Sequence, residues 1–290
     1  MIQLFQQRDF GNKINATFQY ISQNFRSLGM ALLYIVGPVA VVAGIASGIM
    51  QSNFLRLSAA IDNPLAALQV LGQFVSPTFW LTMLFSLLAN VAVILTTYGH
   101  MKIYERTNSN AISVADVWAE VQPAIGRTIV ISLLVSIVTG VAMVFLIIPG
   151  IYVGVVLSLA LAVTSFEGTG FGETWDRCFK LIRDKWWSTF GLVIVMVIIV
   201  SIVGMIFAIP TTVIAFFVSA KLLPDVSAVW LVIGNVIGLV GRTLLSAVLY
   251  MAIGFQYTNL VERQEGRGLI SAIDSIGAPT QPRTQNEGDF

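Results

Sequence analysis

The sequence predicts an all-α, polytopic membrane protein with about six transmembrane helices, and three observations carry that prediction. Of the 290 residues, 56% are hydrophobic and 11% are charged, against about 25% charged in soluble globular domains, which is too little charge to coat a water-soluble surface. The apolar residues fall in charge-free blocks between Arg26 and Arg56, Asp62 and Lys102, Arg127 and Glu167, and Lys185 and Lys221, with a last apolar segment from Ala228 to Asn259. Each is long enough to supply the roughly 20 helical residues that cross a hydrocarbon core. Runs such as Leu192 to Val200 are apolar at every position, which departs from the alternation of a porin-like barrel. Only the helix satisfies each backbone N–H and C=O inside its own segment.

The first span is expected over 28–50. Its apolar run, Ser27 to Met50, exceeds the roughly 7–15 residues of a signal-peptide core, so it reads as a retained span. Gly37-Pro38 predicts a kink that neighbouring helices tolerate. A loop over 51–76 follows, with a helix-like stretch from Pro64 to Leu71, and then spans at 78–99 and 128–148. Ile148-Pro149-Gly150 ends the third span. The fourth, 151–166, is short, so the two form a tight hairpin with a partly buried turn or local thinning. The fifth, 187–208, ends or kinks at Ile209-Pro210; the sixth, 229–259, follows Pro224-Asp225 and is longer than a bilayer needs, so it tilts or projects. Residues 1–276 read as one membrane domain, and 277–290 as a disordered tail rich in Pro, Gln, Thr and Gly.

Thirteen of the sixteen lysines and arginines lie in the N-terminal segment, the linkers after spans two and four, and the C-terminal tail, whereas Arg56 and Lys221 lie in the opposite loops. Because cytoplasmic loops carry the excess of cations, both termini are expected in the cytoplasm, and the chain in a bacterial cytoplasmic (inner) membrane.

Asp9 to Phe25 aligns without a gap on Gly170 to Trp186: Phe10/Phe171, Gly11/Gly172, Phe18/Phe179 and Ile21/Ile182 are identical, and Ile14/Trp175 and Phe25/Trp186 are both apolar. A weaker copy from Val114 to Ile129 sets Asp116 against Glu173, Trp118 against Trp175 and Ile125 against Ile182. Three copies, each before a pair of spans, suggest a triplicated unit, with three unrelated juxtamembrane helices as the alternative. The shared positions recur every three or four residues, one face of a helix, and Lys13, Arg177, Lys180 and Arg183 fall off it. Interfacial amphipathic helices are therefore expected over 9–25, 112–125 and 171–185, with Phe10, Phe18, Phe25, Trp118, Trp175, Phe179 and Trp186 as interfacial anchors and the cations toward lipid headgroups. Each unit closes on an acidic residue after an apolar or aromatic one: Tyr104-Glu105, Phe166-Glu167 and Val261-Glu262.

The aromatic lead-in helix with its Trp, the Ile-Pro-Gly hairpin and the closing Phe255-Gln256-Tyr257-Thr258-Asn259-Leu260-Val261-Glu262-Arg263-Gln264-Glu265-Gly266 resemble the six-span bacterial inner-membrane proteins related to the membrane domain fused to some glycerophosphodiester phosphodiesterases. The resemblance covers residues 10–276 and implies a six-helix inner-membrane domain. It does not carry over the phosphodiesterase activity, whose domain is not found in this sequence.

Reactive groups are sparse. Cys178 is the one cysteine and His100 the one histidine, which leaves no intrachain disulfide and no multi-cysteine metal site. Cys178 reads as a small residue on an amphipathic helix, and His100 as an interfacial residue, since a hydrolase would need a serine within hydrogen-bond reach. The acidic residues all fall in loops or at helix ends, away from the usual place of a proton relay. Arg242 is the one charge embedded in an apolar segment: it either serves a polar pathway, with Asp225 or Asp62 as partner, or lies near the outer interface. Asn90 and Asn235 either bond between helices or line a cavity, and Gly234 to Gly238 forms a small-xxx-small helix contact. A net charge of +1 argues against nucleic acid, and no nucleotide-binding or calcium loop is present. The residues thus lead to a non-enzymatic multi-pass protein without cofactor that organises lipid or partner proteins, or alternatively to a small permease or channel lined by Arg242, Asn235 and Asn90.

Overall fold

Length and hydropathy single out six helices able to cross a bilayer: Phe25–Phe54, Pro77–Thr107, Val114–Phe145, Ile147–Glu167, Trp186–Phe217 and Val229–Glu265. They are seen in the computed structural model, which describes residues 2–58, 72–219, 228–268 and 270, where the regular structure is helical throughout. The chain is an all-α polytopic membrane protein. Asp62, Lys221, Asp225, the stretch from Pro64 to Leu71 and the tail 277–290 lie outside the described residues.

Three short helices lie at one end of the molecule, here called the basic end: α1 (Phe10–Gln23), α5 (Val114–Val121) and α9 (Phe171–Ile182). Their first residues occupy equivalent positions in the sequence alignment. Asp9 caps α1 by accepting from the Asn12 N–H. In the other two, the aligned residues Asp116 and Glu173 reach back to the N–H groups of Ser113 and Gly170 at 3.1 and 3.3 Å, the reciprocal half of a capping box.

The first span is built from α2 (Phe25–Ala31), a π-helical turn over Leu32–Val36 and α3 (Gly37–Ser58). Pro38 has no N–H to offer the preceding turn, and the wider π turn, closed by the Gly37 N–H on Leu32 and Leu33 carbonyls, takes up the mismatch inside the helix. Residues 51–58, expected in a loop, continue α3. Helix α4 (Pro77–Thr107) starts with Pro77 in its first turn, where a missing N–H costs nothing, beneath the Ser76 cap; it stops at Asn108, whose φ of 46° is left-handed.

Helices α6 (Ile125–Phe145) and α7 (Ile147–Leu157) form the predicted hairpin, continued by α8 (Ala160–Glu167). The break falls at Leu146, whose backbone is extended (φ −153°, ψ 111°), and not at Pro149-Gly150. Pro149 sits in the first turn of α7, a position proline tolerates. Pro210 likewise does not end its helix: α10 (Trp186–Ser219) runs through it, held by packing against α11 (Ala228–Glu265).

Helices α3, α4, α10 and α11 make the bundle, with α11 in contact with the other three. Close approach is achieved by small residues: a Cβ on Gly44 or Gly48 would stand 2.8 or 2.7 Å from the Cα of Val236 or Val232, and Gly234 and Gly238 face Thr211 and Phe207 of α10. These are the glycine contacts by which helices associate in lipid.

The hairpin is laid differently. Arg127 donates to the Gly168 carbonyl at its base, and Gly150 against Met143 and Gly154 against Thr139 keep the arms antiparallel. At about 1.5 Å per residue, the tip stands roughly 30 Å from the base. Yet the base is held at the basic end, where Phe166 stacks on Tyr257, and the tip is held there too, where the Trp186 indole donates to the Tyr152 carbonyl at 3.2 Å and Ile148 shares a cleft with Arg183, Asp184 and Lys185. The hairpin therefore runs across the basic end of the bundle rather than up its flank.

Candidate functional site

The residues that concentrate chemistry are the last turns of α11, from Phe255 to Glu265, where the apolar pattern of the helix gives way to a polar side chain at nearly every position. Because these residues point in several directions from one helix, they reach two of the short helices, α1 and α9, together with the ends of α8 and α10. Gln256 donates to Thr189 at 2.7 Å and accepts from the Lys13 ammonium at 2.7 Å, and Lys13 also donates to Ser188 at 2.9 Å. Asn259 accepts the Arg8 N–H at 2.9 Å. The Tyr257 hydroxyl donates to Glu167 at 2.8 Å. The Arg177 guanidinium then bridges Glu167, at 2.9 Å, and Glu265, and Gln264 donates to the Lys180 carbonyl at the end of α9 at 3.0 Å. The N-terminal strip is drawn into the same layer: the Ile2 N–H donates to the Tyr104 hydroxyl at 2.8 Å, and Ile2 and Leu4 are buried.

The electrostatics follow from burial. Lys13 is 2% exposed; desolvation, then repulsion from Arg263 and Lys185, lowers its pKa to about 8 against a partial counterweight from Asp9. Burial alone would lower the Arg177 pKa, but the hydrogen bonds and charges of Glu167 and Glu265 outweigh it and the value is raised. Two expectations are corrected here. Lys13 and Arg177 do not face lipid headgroups: the first is buried against α10 and α11, and the second is committed to two carboxylates. Equivalent positions of the three short helices are buried together, Lys13 with Val117 and Thr174, and Thr17 with Val121 and Cys178, so the face turned to the bundle is not the aromatic one.

The aromatic positions divide. Phe10, Phe18, Phe25 and Trp118 are 39, 40, 72 and 44% exposed. Trp175, Phe179 and Trp186 are half-buried in a run of rings from Phe171 through Trp175, Phe179, Tyr152 and Trp186 to Phe190, with neighbouring centroids 5.0–6.4 Å apart.

Cys178 is buried, and its pKa is pushed up to about 12 by desolvation and by Glu167, against a pull from Arg177. A thiol so placed stays protonated and inert at neutral pH.

The structure does bring a serine to His100. Ser27 Oγ lies 3.1 Å from Nε2, and the Tyr20 hydroxyl 2.8 Å from Nδ1. One hydrogen-bond direction satisfies all of these groups: Tyr20 donates to Nδ1, Nε2–H donates to Ser27, and Ser27 donates to the Asn24 carbonyl at 3.2 Å. In that assignment the proton sits on the nitrogen that a hydrolase would need free. The third member is a phenol whose pKa burial and Tyr104 raise well above its usual range, not a carboxylate able to stabilise an imidazolium.

The three polar residues embedded in the spans each engage a different neighbour. Asn235 donates to Gln51 of α3 and to the Leu231 carbonyl, and Asn90 accepts the Tyr250 hydroxyl at 3.1 Å. Arg242 is exposed and lies along α10 in a groove of about 330 Å³ with Val200, Ser201, Gly204, Met205 and Leu245. Among the described residues, no three His, Cys, Asp or Glu side chains gather where one ion could be held.

These features define a helical membrane protein in which a polar layer ties two short helices, α1 and α9, to the end of one long span. Residues 82–260 match a family model described as a domain of unknown function, DUF7847. The match covers more than half of the chain, which belongs to that family. No curated protein and no solved structure matches it.

Proposed function

We propose that the protein is a non-enzymatic organiser of lipid or partner proteins at the bacterial cytoplasmic membrane, with both termini and the basic end in the cytoplasm. The observation that carries this reading is the polar layer itself. It spends its buried charges on holding α1 and α9 in place, as Lys13 on Gln256 and Arg177 on Glu167 and Glu265 do, while Phe10, Phe18 and Phe25 remain exposed along α1 and α2. Aromatic side chains at headgroup depth anchor a helix in the interface. Triplication of a lead-in helix followed by a helix pair is supported by the common starting positions and common buried positions of α1, α5 and α9. The likeness to the six-span proteins related to the membrane domain of some glycerophosphodiester phosphodiesterases belongs to the same reading.

The permease reading rests on Arg242 and its groove. Reconstitution separates the two. The protein in liposomes is expected to leave the flux of small ions and metabolites unchanged, with Arg242→Ala indistinguishable from the parent, while mild-detergent extraction retains a stoichiometric protein or a defined lipid. Reproducible flux lost in Arg242→Ala would replace this reading with transport.

A further inference from the structure

The sideways hairpin creates a cleft beside the polar layer, which it meets at Ser188, the acceptor of Lys13. Between its tip and the connection from α9 to α10 lies a cleft of about 710 Å³, lined on one side by Ile148, Ile151 and Tyr152 and on the other by Arg183, Lys185 and Trp187. The two sides differ in chemistry. Ile148, on the hairpin side, is 82% exposed and gives an apolar wall that water does not favour, and on the facing side the Trp187 ring, 77% exposed, lies beside the cations. Arg183 is exposed, and among the described residues neither it nor Lys185 forms an ion pair, unlike Arg177 and Arg267. The cleft also opens at the start of α10, whose first N–H groups have no acceptor within the helix. Unpaired cations, aromatic rings and an apolar wall in one cleft at a helix start are complementary to an anionic phosphate joined to hydrocarbon.

We propose that this cleft binds one anionic membrane glycerophospholipid, its phosphate between Arg183 and Lys185, its glycerol backbone against Tyr152 and Trp187, and its acyl chains along Ile148 and Ile151. The proposal rests on the lipid-organising reading above and gives it a site. Asp184, which lies between the two cations in sequence, also lines the cleft and sets the preference: it opposes headgroups of higher negative charge, so the fitting ligand carries a single net negative charge, as phosphatidylglycerol does.

The test uses the full chain in phosphatidylcholine vesicles, with Trp80, Trp118, Trp175 and Trp230 replaced by phenylalanine so that fluorescence reports Trp186 and Trp187. Phosphatidylglycerol brominated on its acyl chains is expected to quench at a lower lipid fraction than brominated phosphatidylcholine. At about fivefold per cation, Arg183→Gln with Lys185→Gln should weaken that preference roughly 25-fold, and Asp184→Asn should strengthen it. Where the tryptophan variant does not fold, native mass spectrometry of the parent chain and of the Arg183→Gln/Lys185→Gln pair reads the same preference from retained lipid. Equal quenching by the two lipids, a preference untouched by losing both cations, or displacement by inorganic phosphate alone would each overturn the site. None of these outcomes produces solute flux, so a failed site is distinguishable from a failed organiser.

Discussion

The two halves of α11 associate with their neighbours by opposite means. From Leu231 to Gly241 contact depends on what is missing: glycines on α11 admit Thr211 and Phe207, and glycines on α3 admit Val236 and Val232. From Phe255 to Glu265 contact depends on what is present, with Gln256, Tyr257, Asn259, Gln264 and Glu265 each bonded to another segment. In hydrocarbon the acyl chain competes for apolar contact, so close backbone approach is the gain available. At the headgroup level water competes for every polar group, and a network with several partners is what fixes one arrangement. The glycine-packed half holds the helices together, and the polar half sets where α1 and α9 lie.

Substitutions in the two halves test that division. Gly48→Leu should be the most damaging, because even its Cβ would stand 2.7 Å from the Val232 Cα. The helices must separate, at a cost of about 3 kcal/mol, the upper part of the overpacking range, readable as a lowered midpoint in denaturation of the detergent-solubilised protein. Arg177→Ala comes next. It leaves Glu167 and Glu265 facing one another in a partly buried site, for a loss of about 2 kcal/mol, below that of a fully buried pair. Protease access to α9 should rise in Arg177→Ala while the bundle stays intact, whereas Gly48→Leu should expose bundle and short helices together. If both variants released only the short helices, the division of labour would be wrong.

Lys13 sharpens the same comparison through pH. Its pKa is about 8 in the folded protein and 10.5 when free, so between these values the unfolded chain binds more protons. Stability then rises with pH across that window; below about pH 8 both states carry the proton and the contribution is flat. Between about pH 7.5 and 9.5 the parent should gain roughly 1.5 kcal/mol relative to Lys13→Met. Parallel pH profiles for the two proteins would show that the ammonium is hydrated and that the layer is not closed around it.

Much of this architecture was legible in the sequence, for identifiable reasons. The long apolar blocks gave the helices because lipid imposes one requirement, length without charge, that composition meets or fails locally. The three short helices were legible because apolar and aromatic residues recurring every three or four positions are a local signal; that Asp116 and Glu173 cap their helices at the aligned positions was added by the structure. What was not legible depended on partners far along the chain. Lys13 reads as a surface cation until Gln256 and Ser188 surround it, and Arg177 until Glu167 and Glu265 do. The polar run from Gln256 to Glu265 carried a usable signal, since side chains with polar groups all round a helix end need partners on all sides. The course of the hairpin was hidden by parity: two crossings or none leave the charged loops on the same side, so the distribution of Lys and Arg is identical for both.

The smallest effect should come from the isolated amides, and it is the most informative about them. Tyr250 donates to Asn90 across 3.1 Å, and Asn90 has no other side-chain partner among the described residues. Tyr250→Phe therefore removes one interhelical hydrogen bond, worth about 0.6 kcal/mol in a membrane interior, and leaves the ring packing unchanged. A loss of that size marks Asn90 as a packing residue whose amide finds another acceptor or donor in its own helix once Tyr250 is gone. A loss several times larger would mean that the amide is stranded in hydrocarbon without the phenol; the bond would then be an obligatory member of the α4–α11 contact, and the contrast between a glycine-packed half and a polar half would have to move outward along α11 to include it.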